Sequence, residues 1–252
     1  MLSNRFLSSV GGTNQRLVLL ILNFRLPPVT FALWRHAHVR IVADGGANRL
    51  YDALSEGSMQ QDRLLSRSDY VPDIIRGDLD SIRPDVLDYY SKLGTQVVDE
   101  SGDQDSTDLQ KCIACAHELI ASRPGDLQGA SIFAAGAFGG RIDHVLSSLC
   151  TLHRHEGEKI ILCGDGNLVR LLPCGHTDLE PDLDVEGPAC GLVAMAAPAT
   201  ASSQGLKWNL ESTQLEVQGL QSTSNTLAGS RVSVDTDQPL LWMTEFRDPL
   251  EE

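Results

Sequence analysis

Short apolar runs alternate with amphipathic stretches through the first two thirds of the chain. Residues 16–22 read Arg-Leu-Val-Leu-Leu-Ile-Leu, a strand apolar on both faces, and helical spacing follows over 31–36. A second strand at 39–43 runs directly into Asp44-Gly45-Gly46 and a helix-like stretch at 47–54. Residues 55–68 lack an apolar period and read as a loop. The same grammar predicts a strand at 70–75, a helix at 84–90 opened by Pro84, a strand at 95–98 and a helix at 107–121. It then predicts a strand at 131–135, a glycine-rich turn at 136–140, a helix at 142–153 and a strand at 159–163.

After residue 168 the apolar pieces become short and turn signals separate them. Strands are expected at 168–172, 190–196, 205–208, 215–217, 231–234 and 240–243, and the acidic stretch 178–186 reads as a solvated loop. Alternating strands and helices predict a mostly parallel, Rossmann-like α/β domain at 15–167. The later pattern predicts an all-β sandwich or jelly-roll domain at 168–247.

Charge narrows the partners. The 252 residues carry a net charge of −14, which disfavours nucleic acid and anionic membranes, since both demand a basic surface. No apolar run reaches the length of a membrane span. Six cysteines show no disulfide framework, and Cys112 and Cys115 lack the second pair a zinc ribbon needs. They are expected on a small buried helix face, in a reduced, cytoplasmic protein. Residues 1–14 lack acids and carry neither a secretory core nor a long arginine-rich stretch, so a disordered tail is expected there.

Candidate chemistry gathers where strands end. Asp44, the pair Asp78 and Asp80, and the run Asp103, Asp105, Asp108 each follow a predicted strand. In parallel sheets ligands bind beyond the strands' carboxyl ends. Singly, each aspartate has an ordinary explanation, such as Asp105 capping a helix with Asp108 three residues on. Together at one sheet edge they would repel unless a cation or proton joined them, and hard divalent cations take oxygen ligands. Gly45 and Gly46 before Asn48 and Arg49 permit a phosphate to approach a helix start, and Gly139-Gly140-Arg141 offers a second such turn. No Walker-type glycine loop is present.

These segments resemble the thiamine pyrophosphokinase family. The matching pieces are 43–49 (Ala-Asp-Gly-Gly-Ala-Asn-Arg), 77–81 (Gly-Asp-Leu-Asp-Ser), 103–108 (Asp-Gln-Asp-Ser-Thr-Asp), 139–144 (Gly-Gly-Arg-Ile-Asp-His), 205–210 (Gly-Leu-Lys-Trp-Asn-Leu) and 222–226 (Ser-Thr-Ser-Asn-Thr), in family order. Leu79 stands where the family often has an aromatic residue. The resemblance implies transfer of the pyrophosphoryl group of ATP to the hydroxyethyl oxygen of thiamine. It also implies a homodimer with thiamine held between subunits. By motif match, Asp44, Asp78, Asp80 and Asp108 form the Mg2+ shell, and Asp78, Asp80, Asp108 and Arg141 the catalytic set. The implied substrate- and nucleotide-binding residues are Gly45, Gly46, Asn48, Arg49, Gln104, Asp105, Thr107, Lys111, Gly140, Asp143 and His144. Trp208, Ser224 and Asn225 form the implied thiamine-facing wall, an indole being a suitable platform for a thiazolium cation. An aspartate-nucleophile phosphohydrolase is the first rival, but Asp78-Leu79-Asp80 continues Ser81-Ile82 and misses its D-x-D-x-T signature. A non-catalytic sensor is the second, and the intact aspartate set argues against it.

Overall fold

The computed structural model describes residues 2–8, 15–54, 59–60, 63–64 and 66–247. In chain order the elements are β1 (Leu2–Ser3), β2 (Leu17–Ile21), α1 (Val29–Trp34), β3 (Val39–Ala43), α2 (Asp44–Ala53), β4 (Met59–Gln60), β5 (Arg63–Leu64), β6 (Ile74–Gly77), α3 (Pro84–Lys92), β7 (Gln96–Asp99), α4 (Asp108–Ser122), α5 (Pro124–Leu127), β8 (Ser131–Ala135), α6 (Ile142–Arg154) and β9 (Ile160–Gly164). Then come β10 (Asn167–Leu172), β11 (Gly175–Glu180), β12 (Glu186–Val193), β13 (Ala199–Gln204), β14 (Thr213–Leu215), β15 (Ser222–Thr226), β16 (Val232–Thr236) and β17 (Leu240–Phe246).

Among the described residues the main sheet has ten strands in the order β15-β12-β17-β10-β9-β8-β2-β3-β6-β7. Strands β9 to β7 of that order are parallel, and β10, β17, β12 and β15 extend the sheet antiparallel. The central parallel strands β2, β8 and β9 are buried on both faces because helices cover both. Leu17, Leu19 and Ile21 of β2 pack with α1, α2 and α3, whereas Val18 and Leu20 pack with α4 and α5. Strands β3 and β8 flank β2, and the chain winds away from β2 in opposite directions through them. The carboxyl ends of β2 and β8 therefore mark a topological switch point, where a crevice opens.

A second sheet, β1-β11-β16-β13-β14, shares a core with the antiparallel end of the first. Leu179, Ala201, Val232 and Val234 meet Leu172, Leu192, Leu240 and Trp242 there. Strand β10 hairpins onto β9, so the main sheet passes residue 168 without a break.

Several expectations are corrected. The strand expected at 70–75 spans Ile74–Gly77, because Pro72 and Asp73 break the run. Residues 205–208 form bends with one bridge, Leu206 to Leu227, rather than a strand. The strand expected at 215–217 lies at Thr213–Leu215. The acidic stretch 178–186 is no solvated loop: it closes β11 and opens β12, with Glu180, Asp182 and Glu186 buried. Nor is the N-terminus wholly disordered, since β1 pairs parallel with β11 and Phe6 and Leu7 enter the main core. The 55–68 loop contains the β4–β5 pair and a short 3-10 turn at Arg67–Asp69; residues 1, 9–14, 55–58, 61–62 and 65 lie outside the described residues. Cys112 and Cys115 are buried on α4, as expected.

Candidate active site

Asp44 is placed by an abrupt strand-to-helix turn. Ala43 is extended, and α2 begins at Asp44 itself. Two close approaches fix this corner. A Cβ on Gly46 would stand 2.6 Å from the Ile21 carbonyl oxygen, so glycine lets α2 start against β2. A Cβ on Gly77 would stand 2.8 Å from Asp44 Cγ, so glycine at the end of β6 makes room for the carboxylate. Asp44 is buried and accepts hydrogen bonds from the Gly45 amide at 2.6 Å and the Ser81 amide at 3.3 Å.

The turn after β6 carries the next two acids. Leu79 adopts φ 64°, a left-handed conformation uncommon for leucine, and packs against the main core. The turn is further held by Asn48, whose amide donates to the Ser81 carbonyl at 2.7 Å and accepts from the Arg83 amide at 3.0 Å. As a result, ligand oxygens of Asp44, Asp78 and Asp80 lie within 4.8 Å of one another.

Asp108 enters from α4. Thr107 and Gln110 form the capping box of that helix, so the cap is neither Asp105 nor Asp108. Asp103 accepts from the amides of Asp105 and Ser106 at 3.0 and 3.1 Å, shaping the turn that precedes the helix. Burial, then the charges of Asp44 and Asp78, push the Asp108 carboxyl up to about 6. Asp44 is likewise raised, chiefly by burial. Burial works upward on Asp78 too, but hydrogen bonds from Asp80 and Asp44 and the charge of Lys111 leave it below the usual range. Lys111 is buried one turn into α4 and is the cation that tempers both Asp78 and Asp108.

The other expected residues fall in three places. Arg49 on α2 donates to Asn23 Oδ1 at 3.0 Å, beside the end of β2. Exposed Gln104 donates to the Ser101 carbonyl at 3.0 Å. Gly139 and Gly140 pass over the Phe24 ring, where a Cβ on Gly139 would stand 2.1 Å from a ring carbon. Beyond them, exposed Arg141 forks onto Asp143 (Nη2 to Oδ2 2.5 Å, Nε to Oδ1 3.1 Å) at the start of α6. His144 stands in the same turn, and its charge bears on Asp108. Asn23 and Phe24 were not singled out in the sequence; their position after the first strand of a doubly wound sheet is the signal that finds them.

The remaining three lie on the opposite end of the main sheet. Trp208 is 54% exposed, so it is not a core tryptophan; Trp242, 2% exposed, fills that role. Lys207 Nζ stands over the Trp208 ring at 4.5 Å. Buried Asn225 on β15 clamps the Trp208 backbone, accepting from its amide at 3.2 Å and donating to its carbonyl at 2.8 Å. Ser224 beside it has φ 58°. Eight inter-strand steps separate β15 from β6, roughly 38 Å along the sheet at about 4.8 Å per step. The structure thus brings Asp44, Asp78, Asp80, Asp108 and Lys111 together, and keeps Trp208, Ser224 and Asn225 of the same chain apart from them.

An oxygen-donor cluster between glycine-bounded helix starts, at the switch point of a parallel sheet, is the architecture of proteins that handle phosphate esters with a divalent cation. Comparison with known proteins narrows this class. Residues 31–163 match the family model "Thiamin pyrophosphokinase, catalytic domain", and residues 176–241 match "Thiamin pyrophosphokinase, vitamin B1 binding domain". Thiamine pyrophosphokinase 1 of Arabidopsis thaliana is 44% identical, covering 93% of this chain and 88% of that protein. Thiamine pyrophosphokinase 3 of Oryza sativa subsp. japonica is 46% identical over 91% of this chain and 86% of its own length. The crystal structure of yeast thiamin pyrophosphokinase superposes with TM-score 0.82 at 25% identity, covering 99% of this chain and 92% of that one. The chain belongs to the thiamine pyrophosphokinase family. Among the described residues no helix is long and apolar enough to cross a membrane.

Proposed function

We propose that this protein transfers the pyrophosphoryl group of ATP to the hydroxyethyl oxygen of thiamine, giving thiamine diphosphate and AMP. The observation that carries the reading is the convergence of Asp44, Asp78 and Asp80, with Asp108 beside them, in a chain of this family. The cluster fits Mg2+ on its own chemistry: all donors are carboxylate oxygens, Asp44 is buried, and buried Lys111 offsets only part of the charge on Asp78 and Asp108. Asp44, Asp78, Asp80 and Asp108 would hold the ion, which neutralises phosphate charge when bound.

The chain's own groups do the positioning. The amides at the start of α2, opened by Gly45 and Gly46, and Asn48 and Arg49 on its first turns face the phosphates. Gly140, Arg141, Asp143 and His144 at the start of α6 place the nucleotide, and Arg141 can exchange its Asp143 partner for phosphate oxygens. Gln104, Asp105, Thr107 and Lys111 border the acceptor side. The thiamine oxygen attacks the β-phosphorus, the bond from that phosphorus to the α,β-bridging oxygen breaks, and AMP leaves with the electron pair. The hydroxyl proton passes to a carboxylate of the cluster.

The thiamine wall of Trp208, Ser224 and Asn225 belongs to a second copy of the chain. This rests on the eight inter-strand steps, roughly 38 Å along the sheet, between β15 and β6 within one subunit. We accordingly treat 15–167 as the nucleotide- and metal-binding unit and 168–247 as a β-sandwich that presents thiamine to the partner. Exposed Cys150 and Cys174, with no disulfide among the described residues, fit a reducing, cytoplasmic setting.

Product analysis tests the reading. Protein supplied with ATP, Mg2+ and thiamine should release thiamine diphosphate and AMP in equal amounts, and a chelator should abolish both. Free phosphate without thiamine diphosphate would transfer the assignment to a hydrolase.

A further inference from the structure

Outside the carboxylate cluster, a second group of metal-capable side chains stands at the other edge of the parallel sheet. It comprises His117, His155 and Glu158, whose donor atoms lie within 4.8 Å of one another. His117 is the tenth residue of α4, on the order of 14 Å along the helix from Asp108. His155 caps the C-terminus of α6, and Glu158 lies in the turn that leads into β9. Because α4 and α6 both start at the carboxyl edge and run back across the sheet, the group sits at the amino edge, away from the candidate active site.

We propose that His117, His155 and Glu158 form a site for a borderline divalent transition-metal ion, Zn2+ by donor chemistry, that clamps α4, α6 and β9 together. Two imidazoles and one carboxylate suit Zn2+, whereas Mg2+ prefers oxygen alone. Glu158 already bridges the histidines: one oxygen stands 2.6 Å from His117 Nε2 and the other 3.1 Å from His155 Nδ1. The two rings meet edge-on, with centroids 5.2 Å apart. Ligand atoms about 2.0–2.1 Å from a tetrahedral ion stand roughly 3.3 Å from one another, near the 2.6 and 3.1 Å that already separate the Glu158 oxygens from the two ring nitrogens. The three side chains are 22–38% exposed, and an open surface hollow of about 350 Å3 bounded by His117, Glu158, Ile120 and Lys159 gives entry and room for a fourth, water ligand.

Zn2+ titrated by calorimetry into chelator-stripped full-length protein, with excess Mg2+ present, tests the clamp. One Zn2+ should bind per chain and raise Tm by about 5–10 °C at roughly a hundredfold excess over Kd. His117→Gln and His155→Gln, folded by near-ultraviolet circular dichroism, should lose both effects, while Asp80→Asn keeps them. Co2+ in place of Zn2+ should give the strong visible bands of four-coordinate geometry. No Zn2+ uptake by the wild-type protein, uptake undiminished in both histidine variants, or only the weak bands of octahedral Co2+ would overturn the proposal.

Discussion

At the residue scale, the site depends as much on what is missing as on what is present. Gly77 leaves the space that the Asp44 carboxylate fills, with only 2.8 Å between a hypothetical Cβ and Asp44 Cγ. Gly77→Ala should therefore displace a proposed metal ligand without removing it and weaken Mg2+ binding about 10–100-fold. The Mg2+ concentration giving half-maximal turnover reads this directly, and an unchanged value would show that the carboxylate does not depend on that space. Asp78→Ala or Asp108→Ala should cost more, on the order of 100-fold or more in turnover, since each removes charge from the cation's shell. Near-wild-type rates in both would discard the assigned shell. Asn225 acts through another residue. Its loss leaves the part-buried Trp208 amide and carbonyl without their partner, costing about 1 kcal/mol. Asn225→Ala should raise the KM for thiamine and leave that for ATP unchanged; an equal rise in both would point to general loosening. The acids and their glycines were legible in the sequence because residue type and strand-end position are local facts. The clamp roles of Asn48 and Asn225 were not, because their partners lie 33–35 and 17 residues away.

At the element scale, the central parallel strands were legible because they are buried on both faces and so appear as apolar runs, Leu17–Ile21 and Ile160–Gly164 among them. Strands β11, β13 and β15 were not. Their sequences, GHTDLE, ATASSQ and STSNT, show water or small polar neighbours on one face and offer little apolar contrast. The acidic stretch misled for a different reason. Glu186 is buried where it accepts from Thr244 at 2.8 Å and from the Asp182 amide at 2.8 Å, and Asp182 takes the Ser8 hydroxyl at 2.5 Å. Arg170, buried and lowered to about 10 chiefly by that burial, donates to Asn4 on the N-terminal segment. The Asp182–Glu186 contact is local, but the pairings with Thr244, Asn4 and Ser8 span 58 to 174 residues and leave no local trace. The segment that looked like a loose tail is thus a strap over buried charge. Deleting residues 1–8 should leave Arg170 without Asn4 and cost about 3 kcal/mol, a fall in Tm of roughly 6–12 °C. Thermal unfolding that matches the full chain would show the strap to be dispensable.

At the scale of the whole molecule, one continuous ten-stranded sheet links the two units matched by separate family models. That continuity fixes the acids and the Trp208 wall at opposite ends of the same chain. On the proposed reading, a transfer site built from both is completed across a two-fold axis, where each subunit would lend its wall to the other's acids. Subunit mixing tests the proposed composite site. Asp108→Asn and Trp208→Ala proteins, each nearly inactive alone, are unfolded together, refolded and assayed. Random reassociation makes half of the dimers mixed, and each mixed dimer carries one intact site, so about a quarter of wild-type activity should return. Failure to recover activity, with mixed dimers demonstrated by mass, would place the whole site within one chain and contradict the account.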